Sequence, residues 1–208
     1  MSRVPVKICG VRDEATAIAA AAAGADFVGV VLAPGSPRFV APAEATQLAV
    51  AIGDAGAIPV AVVRLAVDSA TMQAIEAFPI IQFHGEESIA DLSPFRAWEC
   101  WKGLTFSKAS VAAWTAANPT AVARLVVDGA EAGSGAAWDP TDFAALDDAT
   151  RARCLLAGGL DPTNVAERIR LARPGGVDVS SGVERARGVK DIGLIRAFID
   201  AVRAATTA

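Results

Sequence analysis

Eight short apolar runs alternate with alanine-rich amphipathic segments along this sequence, and together they predict an α/β protein, a (β/α)8 TIM barrel. The runs are apolar throughout rather than at alternate positions, which is typical of parallel strands buried on both faces. No Gly-x-Gly-x-x-Gly follows the first run, which disfavours the open, doubly wound sheet of a dinucleotide-binding domain. Because no linker or low-complexity stretch divides the chain, we expect residues 1–208 to form a single domain.

The predicted strands are the apolar runs themselves, each bounded by glycine, proline or polar residues. They cover residues 4–9, 26–32, 58–63, 80–84, 98–104, 124–128, 153–158 and 177–181. Segments of helical periodicity follow them at 13–23, 42–54, 69–77, 87–92, 107–117, 140–146, 162–171 and 191–204. Ser69 and the pair Asp161-Pro162 supply cap chemistry at two of these helix starts. With 208 residues the chain is short for a barrel, so its loops must be short.

Composition excludes several classes of protein. A hydrophobic fraction of 53% and a charged fraction of 20% favour a large buried core over disorder. The net charge of -4 gives no reason to expect a nucleic-acid partner, and no apolar run reaches the roughly 18 residues of a membrane span. Cys9, Cys100 and Cys154 are scattered and form no CxxC, so we predict neither disulfides nor a zinc site. The N-terminus lacks the apolar segment of a signal peptide, and we expect a reduced cytoplasmic protein.

Barrels of this type build their active sites from the carboxyl ends of the strands and the loops that follow. In this sequence that rule selects a set of polar residues and glycines that should converge on one rim. They are Cys9, Arg38, His84, Lys102, Asp128, Gly158, Gly159, Asp178, Ser180, Ser181 and Gly182.

Two glycine-containing loops, residues 156–162 and 178–184, follow the seventh and eighth predicted strands. Unpaired backbone N–H groups at such turns bind phosphate, and barrel enzymes often place phosphate after these two strands. The loops therefore predict a phosphate site, formed by Gly158, Gly159, Ser180, Ser181 and Gly182. The alternative is a pair of tight turns that need glycine only for positive φ.

Cys9 and Asp128 end the first and sixth predicted strands. A thiolate at the rim can act as a nucleophile or general base, because a nearby cation lowers a thiol pKa from its usual value of about 8.5. Cys9 can equally be a small buried hydrophobe, the role that we predict for Cys100 and Cys154 within apolar strands. The apolar run before Asp128 would raise its carboxyl pKa and suit a general acid, whereas capping a loop amide is the alternative.

Three further polar residues at the rim have both a substrate-binding and a structural interpretation. Arg38 can pair with a substrate carboxylate through two of its nitrogens, or stand in solvent as a loop arginine. His84, the single histidine, is a substrate contact or a hydrogen-bonded strand end, and by itself it cannot form a metal site. Asp178 either contacts the substrate or holds the phosphate loop. No cluster has metal-ligand spacing, so we predict no metal.

Six stretches, KICG, SPRFV, QFHGEE, LVVDG, LAGGLDPTNV and GVDVSSGVE, together resemble the phosphoribosylanthranilate isomerases of tryptophan biosynthesis. The resemblance runs from Lys7 to the final helix. It implies an Amadori rearrangement of N-(5-phosphoribosyl)anthranilate to 1-(2-carboxyphenylamino)-1-deoxyribulose 5-phosphate, an aldose–ketose isomerisation. Cys9 matches the family's general base, Asp128 its general acid, and Arg38 the arginine near the anthranilate carboxylate. Gly159, Ser180, Ser181 and Gly182 match phosphate-loop positions, and Asp178 matches a substrate contact.

The resemblance implies a small phosphorylated substrate and no cofactor, and the sequence leaves the oligomeric state open. The chain departs from the family's pattern in the loop after Asp128, which has a single glycine before Ser134 and carries Asp139-Pro140. Other barrels remain as alternatives. A histidine-pathway sugar-phosphate isomerase would have aspartate in place of Cys9, and indoleglycerol-phosphate synthase would have a lysine–glutamate set. A barrel that binds a phosphorylated ligand without turnover would not need Cys9 and Asp128.

Overall fold

A computed structural model of the protein describes residues 3–65, 67–116, 122–129 and 140–207. Eight parallel strands form a closed barrel in chain order, and the last strand pairs with the first. The barrel strands are β1 (Val6–Cys9), β2 (Phe27–Val31), β3 (Ile58–Val63), β4 (Ile80–Phe83), β5 (Glu99–Thr105), β6 (Arg124–Asp128), β7 (Cys154–Leu156) and β8 (Gly176–Val179). The predicted (β/α)8 barrel is confirmed, and each strand overlaps its predicted run, with ends that differ by up to two residues.

Helices connect most of the strands and cover the outside of the barrel. They are α1 (Glu14–Ala23), α2 (Pro42–Asp54), α3 (Ser69–Ile75), α4 (Lys108–Ala116), α5 (Pro140–Ala144), α6 (Asp148–Ala152), α7 (Val165–Ala172) and α8 (Ile192–Thr207). None of the described helices is long and apolar enough to cross a membrane. The start of α1 shows how sequence sets these bounds: Asp13 accepts a hydrogen bond from the Thr16 backbone N–H, and the helix ends at Gly24, whose φ is 102°.

A layer of apolar side chains fills the interior of the barrel towards the amino ends of the strands. Its members are Phe27, Val60, Ile80, Trp101, Val126, Leu155 and Ala157. Trp101 is fully buried, and its ring packs edge-on against Phe27 with the centroids 4.9 Å apart. Because this layer fills the interior towards the amino ends of the strands, the polar residues further along can be reached only from the carboxyl ends.

Several local predictions were wrong. The segment predicted as a helix at 87–92 is instead a 3-10 helix, Ala90–Phe95, which contains Pro94 and so lacks one backbone donor. Asp68 rather than Ser69 caps α3, since its side chain accepts from the Thr71 N–H. The helix predicted from Pro162 begins at Val165, although the Asp161 carboxylate accepts from the Thr163 and Asn164 N–H groups as a capping residue does.

Two features were not predicted at all. The segment between β6 and β7 contains α6 as well as α5. Between β8 and α8 lies a small antiparallel hairpin of β9 (Glu184–Ala186) and β10 (Val189–Lys190). The hairpin turns at Gly188, whose φ of 79° suits glycine. Its position at the carboxyl end of β8 places two charged side chains beside the predicted site.

Candidate active site

Cys9 is the last residue of β1, and its thiol lies among buried groups of β1 and β2. Gly29 stands opposite Cys9 in the register of β1 with β2. A Cβ placed on Gly29 would lie 3.0 Å from Cys9 Sγ and 3.2 Å from Lys7 Nζ. The absence of a side chain at position 29 leaves room for the thiol and the ammonium, which a Cβ would crowd.

Burial raises the pKa of the Cys9 thiol above its ordinary value, whereas the positive charge of Lys7 lowers this pKa. Asp178 raises the pKa of the thiol through its negative charge, and Lys190 lowers it. The sequence analysis expected a nearby cation to reduce the thiol pKa. The cation is present and lowers the thiol pKa, but burial outweighs it, and the pKa of Cys9 lies above its ordinary value.

Asp128 ends β6, and its carboxylate lies against the loop that follows β7. A Cβ on Gly158 of that loop would come within 2.1 Å of Asp128 Oδ1. Burial raises the pKa of Asp128, and the negative charge of Asp178 raises it further, while the Gly129 N–H lowers it. A carboxyl group in this setting keeps its proton to higher pH than usual, as a general acid must.

The two predicted phosphate loops touch each other at the rim. Gly158 and Gly159 have φ of 81° and 64°, which favour glycine. A Cβ on Gly182 would lie 1.8 Å from the Leu160 carbonyl oxygen, so only glycine allows this approach of the second loop to the first. Ser180 Oγ donates a hydrogen bond of 3.1 Å to the Cys9 carbonyl oxygen and so joins the second loop to β1. Ser181 follows at the start of a 3-10 turn, Ser181–Val183, and is exposed.

Arg38 is held at the rim by an ion pair that the sequence analysis did not foresee. Its Nε and Nη2 donate to the two carboxylate oxygens of Glu184 at 2.7 and 3.0 Å. The aliphatic part of the side chain packs over Gly10, where a Cβ would lie 2.4 Å from Arg38 Cδ. The guanidinium therefore has a fixed position next to the residue that follows Cys9, and it is not a free loop arginine.

Lys190 extends this ion pair to the second phosphate loop. Its Nζ donates to Glu184 Oε1 at 2.8 Å, to the Ser180 carbonyl oxygen at 2.9 Å and to Ser180 Oγ at 3.2 Å. A continuous chain of hydrogen bonds thus runs from Arg38 through Glu184 and Lys190 to Ser180, and from there to the Cys9 backbone.

Asp178 lies in β8 opposite Lys7 of β1, and its Oδ1 accepts a hydrogen bond of 2.9 Å from Lys7 Nζ. Lys7 is fully buried, and Asp178 is 8% exposed. Because Lys7 precedes Cys9 by two residues on the same face of β1, this pair lies one layer deeper in the barrel than Cys9. The polar residues around the carboxyl ends of the strands, from this pair outward, are called the mouth. The negative charge of Asp178 raises the pKa of both Cys9 and Asp128.

His84 follows β4 rather than ending it, and its ring lies over Gly103 of β5, where a Cβ would come within 2.1 Å of Nδ1. The Gln82 amide nitrogen lies 3.4 Å from the same Nδ1. Although the residue as a whole is exposed, partial burial of the ring lowers the pKa of His84, as does the charge of Lys7. A neutral imidazole at the mouth can hydrogen-bond a substrate hydroxyl.

Lys102 does not belong to the mouth, contrary to the sequence-based selection. Its side chain is buried between the barrel and its outer layer, where Nζ binds Glu87 Oε2 at 3.0 Å and the carbonyl oxygens of Gly85 and Gly103. Nζ also lies 5.7 Å from the centroid of the Trp114 ring on α4.

Cys100 and Cys154 are buried as predicted, and burial raises their pKa values to about 11 and about 12.

Sequence reasoning missed Lys7, Glu184 and Lys190. Lys7 had a usable signal, because residues two apart in a strand share a face and Lys7 therefore points inward with Cys9. Glu184 and Lys190 depend on the hairpin of β9 and β10, which no pattern predicted. Of the departures in the loop after Asp128, Ser134 and Asp139 lie outside the described residues, and Pro140 is the first residue of α5. Within the ranges that the structure describes, no three His, Cys, Asp or Glu side chains converge as metal ligands would.

Comparisons with known proteins agree on one family. The family model for N-(5'phosphoribosyl)anthranilate (PRA) isomerase matches residues 6–201. The N-(5'-phosphoribosyl)anthranilate isomerase of Rhodopseudomonas palustris (strain BisB18) is 43% identical over 210 residues, covering 96% of this chain and 95% of the relative. That of Roseiflexus sp. (strain RS-1) is 40% identical over 222 residues, covering 97% of this chain and 99% of the relative.

Solved structures give the same result. The phosphoribosyl anthranilate isomerase of Thermus thermophilus superposes with a TM-score of 0.81 at 32% identity, covering 96% of this chain and 98% of that one. The Thermotoga maritima protein has a TM-score of 0.82 at 30% identity, covering 97% and 99%. A third structure, with a TM-score of 0.79 at 28% identity and coverage of 97% and 99%, is an isomerase bound to reduced 1-(o-carboxyphenylamino)-1-deoxyribulose 5-phosphate.

Proposed function

This chain belongs to the N-(5'-phosphoribosyl)anthranilate isomerase family, and we propose that Cys9 and Asp128 are the acid–base pair of its reaction. The protein is an isomerase of tryptophan biosynthesis that converts N-(5-phosphoribosyl)anthranilate to 1-(2-carboxyphenylamino)-1-deoxyribulose 5-phosphate. The observation that supports the acid–base assignment is the setting of Asp128. Its carboxyl lies at a strand end, against a phosphate loop, where burial raises its pKa.

The first step opens the sugar ring. Asp128 donates its proton to the furanose oxygen while the anthranilate nitrogen contributes its lone pair to C1′, so the C1′–O bond breaks and a protonated Schiff base forms. The leaving oxygen becomes a neutral hydroxyl. A carboxyl with a raised pKa suits this role because it is protonated at a pH where an ordinary aspartate is ionised.

The second step moves hydrogen from C2′. The Cys9 thiolate removes the C2′ proton, and the electrons of that bond flow into the Schiff base, which gives a neutral enolamine. Tautomerisation of the enolamine gives the aminoketose product. The substrate's own nitrogen is the electron sink, so this chemistry calls for no cofactor. The thiolate must form in a buried place, and the adjacent positive charges of Lys7 and Lys190 favour it.

The ends of the substrate are anionic, and the rim offers a partner for each. We assign the phosphate to the two touching loops, through backbone N–H groups near Gly158, Gly159, Ser180, Ser181 and Gly182. We assign the anthranilate carboxylate to Arg38, which the Glu184 ion pair holds beside β1. We assign the sugar hydroxyls to Asp178 and His84. A required free thiol also favours a reducing compartment, so we place the protein in the cytoplasm.

The test is an activity assay that follows the loss of anthranilate-type fluorescence when N-(5-phosphoribosyl)anthranilate, generated in situ, meets the purified protein. Cys9→Ala and Asp128→Asn should each reduce kcat by about 10²–10⁴-fold, the usual contribution of general acid–base catalysis. Cys154→Ala is the matched control, because this buried thiol lies in the outer layer of the barrel. Near-normal kcat in either site variant would contradict its assignment. Wild-type protein that binds phosphate but shows no turnover would instead indicate a ligand-binding barrel.

A further inference from the structure

We propose that Lys7 is a positioning residue that keeps its ammonium beside Cys9 Sγ and supplies the positive charge that the sulfur needs as a thiolate. The inference rests on the proposed role of Cys9 as general base. The roles of Cys9 and Asp128 do not explain why the Lys7 ammonium is fully buried, and the proposal gives this buried charge a function. An unpaired ammonium inside a protein is costly, so a chain that places one there must compensate it with neighbouring groups.

The position of the ammonium is fixed from two sides. Asp178 Oδ1 accepts a hydrogen bond of 2.9 Å from Lys7 Nζ across the β1–β8 register. Gly29 on β2 leaves a space in which Nζ and Cys9 Sγ lie 3.2 and 3.0 Å from one point. Lys7 Nζ and Cys9 Sγ are therefore at most about 6 Å apart. At that distance an ammonium and a thiolate attract each other strongly when both are buried.

Charged side chains from three strands act on the Cys9 thiol. Lys7 comes from β1 itself, Asp178 from β8 and Lys190 from β10, while Gly29 of β2 stands opposite Cys9. His84 and Asp128 face the Lys7–Asp178 pair from the loop after β4 and from β6. Lys7 has the strongest charge effect on the thiol, and it lowers the thiol pKa, whereas Asp178 acts in the opposite direction more weakly.

The ion pair also keeps Lys7 charged. Burial lowers the pKa of Lys7, but the nearby charges of Asp178 and Cys9 outweigh burial, and the resulting pKa lies above its ordinary value. Asp178 therefore has two effects on the thiol: it opposes the thiolate directly, and it preserves the cation that favours the thiolate. A neutral residue at position 7 would remove the cation that favours the thiolate and leave only the opposing charge of Asp178.

The test titrates Cys9 without substrate, so its result is independent of whether the protein turns over N-(5-phosphoribosyl)anthranilate. The rate of Cys9 alkylation by iodoacetamide is measured against pH by mass spectrometry in wild type and in Lys7→Met. We expect the midpoint of the Cys9 curve to rise by about one unit or more in Lys7→Met, equivalent to about tenfold less thiolate at a given pH. The thiolate absorbance, with Cys9→Ser subtracted, gives the same midpoint without depending on reagent access.

Lys102→Met is the matched control, because Lys102 is also a buried lysine paired with a carboxylate but lies outside the mouth. We expect it to leave the Cys9 midpoint unchanged. The double variant Lys7→Met/Asp178→Asn separates two explanations. If Lys7 acted only by neutralising Asp178, the double variant would return to the wild-type midpoint, and that result would overturn the proposal; we expect the midpoint to stay raised.

Gly29→Ala provides a test that retains the lysine, should Lys7→Met fail to fold. The added methyl group would enter the space shared by Cys9 Sγ and Lys7 Nζ and push them apart. We expect the Cys9 midpoint to rise, by less than in Lys7→Met. An unchanged midpoint in folded Lys7→Met, or in folded Lys7→Gln where Lys7→Met does not fold, would show that Lys7 does not act on the thiol.

Discussion

The guanidinium of Arg38 binds both carboxylate oxygens of Glu184, and this bidentate pair joins the loop after β2 to the hairpin after β8. Glu184 also accepts from Lys190 Nζ and from the Gly188 backbone N–H. A carboxylate with four donors is strongly stabilised in its charged form, and these partners outweigh burial and lower the pKa of Glu184 to about 2. The pair connects the proposed carboxylate-binding residue to the proposed phosphate loop.

Glu184 should make the stability of the protein depend on pH in the acid range. Its folded pKa of about 2 lies below the unfolded value of 4.5, so its contribution is complete above about pH 4.5 and disappears as pH falls towards 2. The upper limit of this contribution is about 3 kcal/mol. Glu184→Gln should lower the free energy of unfolding at pH 7 and flatten its dependence on pH between 4.5 and 2, measured by urea unfolding.

The control for Glu184→Gln is Glu86→Gln, which removes an exposed carboxylate. We expect Glu86→Gln to follow the wild-type pH dependence. The same steep loss of stability in Glu184→Gln as in wild type would show that other carboxylates cause it. In the activity assay, Glu184→Gln should raise KM more than it lowers kcat, because it frees Arg38 without touching Cys9 or Asp128.

Gly158→Ala should damage catalysis through Asp128. The new Cβ would overlap Asp128 Oδ1 and the Gly129 backbone nitrogen, and so force the end of β6 and its carboxylate away from their position. An alanine at φ 81° also costs about 1–2 kcal/mol in backbone strain. Gly56→Ala separates the two effects, since Gly56 has φ of 89° but no atom within 4 Å of the added methyl. We expect both variants to lose stability and only Gly158→Ala to lose kcat; equal kcat values would contradict the contact with Asp128.

Asp128→Asn should stabilise the fold while it removes activity. A carboxyl whose folded pKa is raised above the unfolded value destabilises the protein once pH exceeds both values, because folding buries a charge. The amide carries no such charge. We expect the free energy of unfolding of Asp128→Asn to exceed that of wild type at pH 7, and the difference to vanish below the ordinary aspartate pKa of about 3.9. A loss of stability at pH 7 would mean that the carboxylate is well stabilised and unsuited to act as an acid.

Inorganic phosphate should protect the protein against heating if the two loops form its site. A ligand that binds only the folded protein stabilises it by about 2.7 kcal/mol at a hundred times its Kd. Gly182→Ala should reduce this protection, because its methyl group would collide with the Leu160 carbonyl oxygen and separate the loops. The quantity to compare is the shift in Tm on adding phosphate, with sodium chloride at equal ionic strength as reference. The same shift in Gly182→Ala and wild type would place phosphate elsewhere.

Much of the fold could be predicted from sequence because its signals are local. Strands such as 58–63 are continuous apolar runs, and the burial of both faces of a parallel sheet requires that pattern. The hairpin of β9 and β10 gave no such signal, since its strands are two or three residues long and largely polar. The 3-10 helix at Ala90–Phe95 was predicted as an α-helix because composition does not distinguish the two.

The sequence by itself determined the barrel and the strand ends at which Cys9, Asp128, Asp178 and the two glycine loops stand. This follows because continuous apolar runs mark buried parallel strands, and a (β/α)8 barrel places the carboxyl ends of all its strands at one rim. Only the tertiary structure decided which charges meet. Lys7 pairs with Asp178 across 171 residues of sequence, and Arg38 pairs with Glu184 across 146. Such pairs depend on distances in space, and those distances set the pKa values on which acid–base chemistry depends.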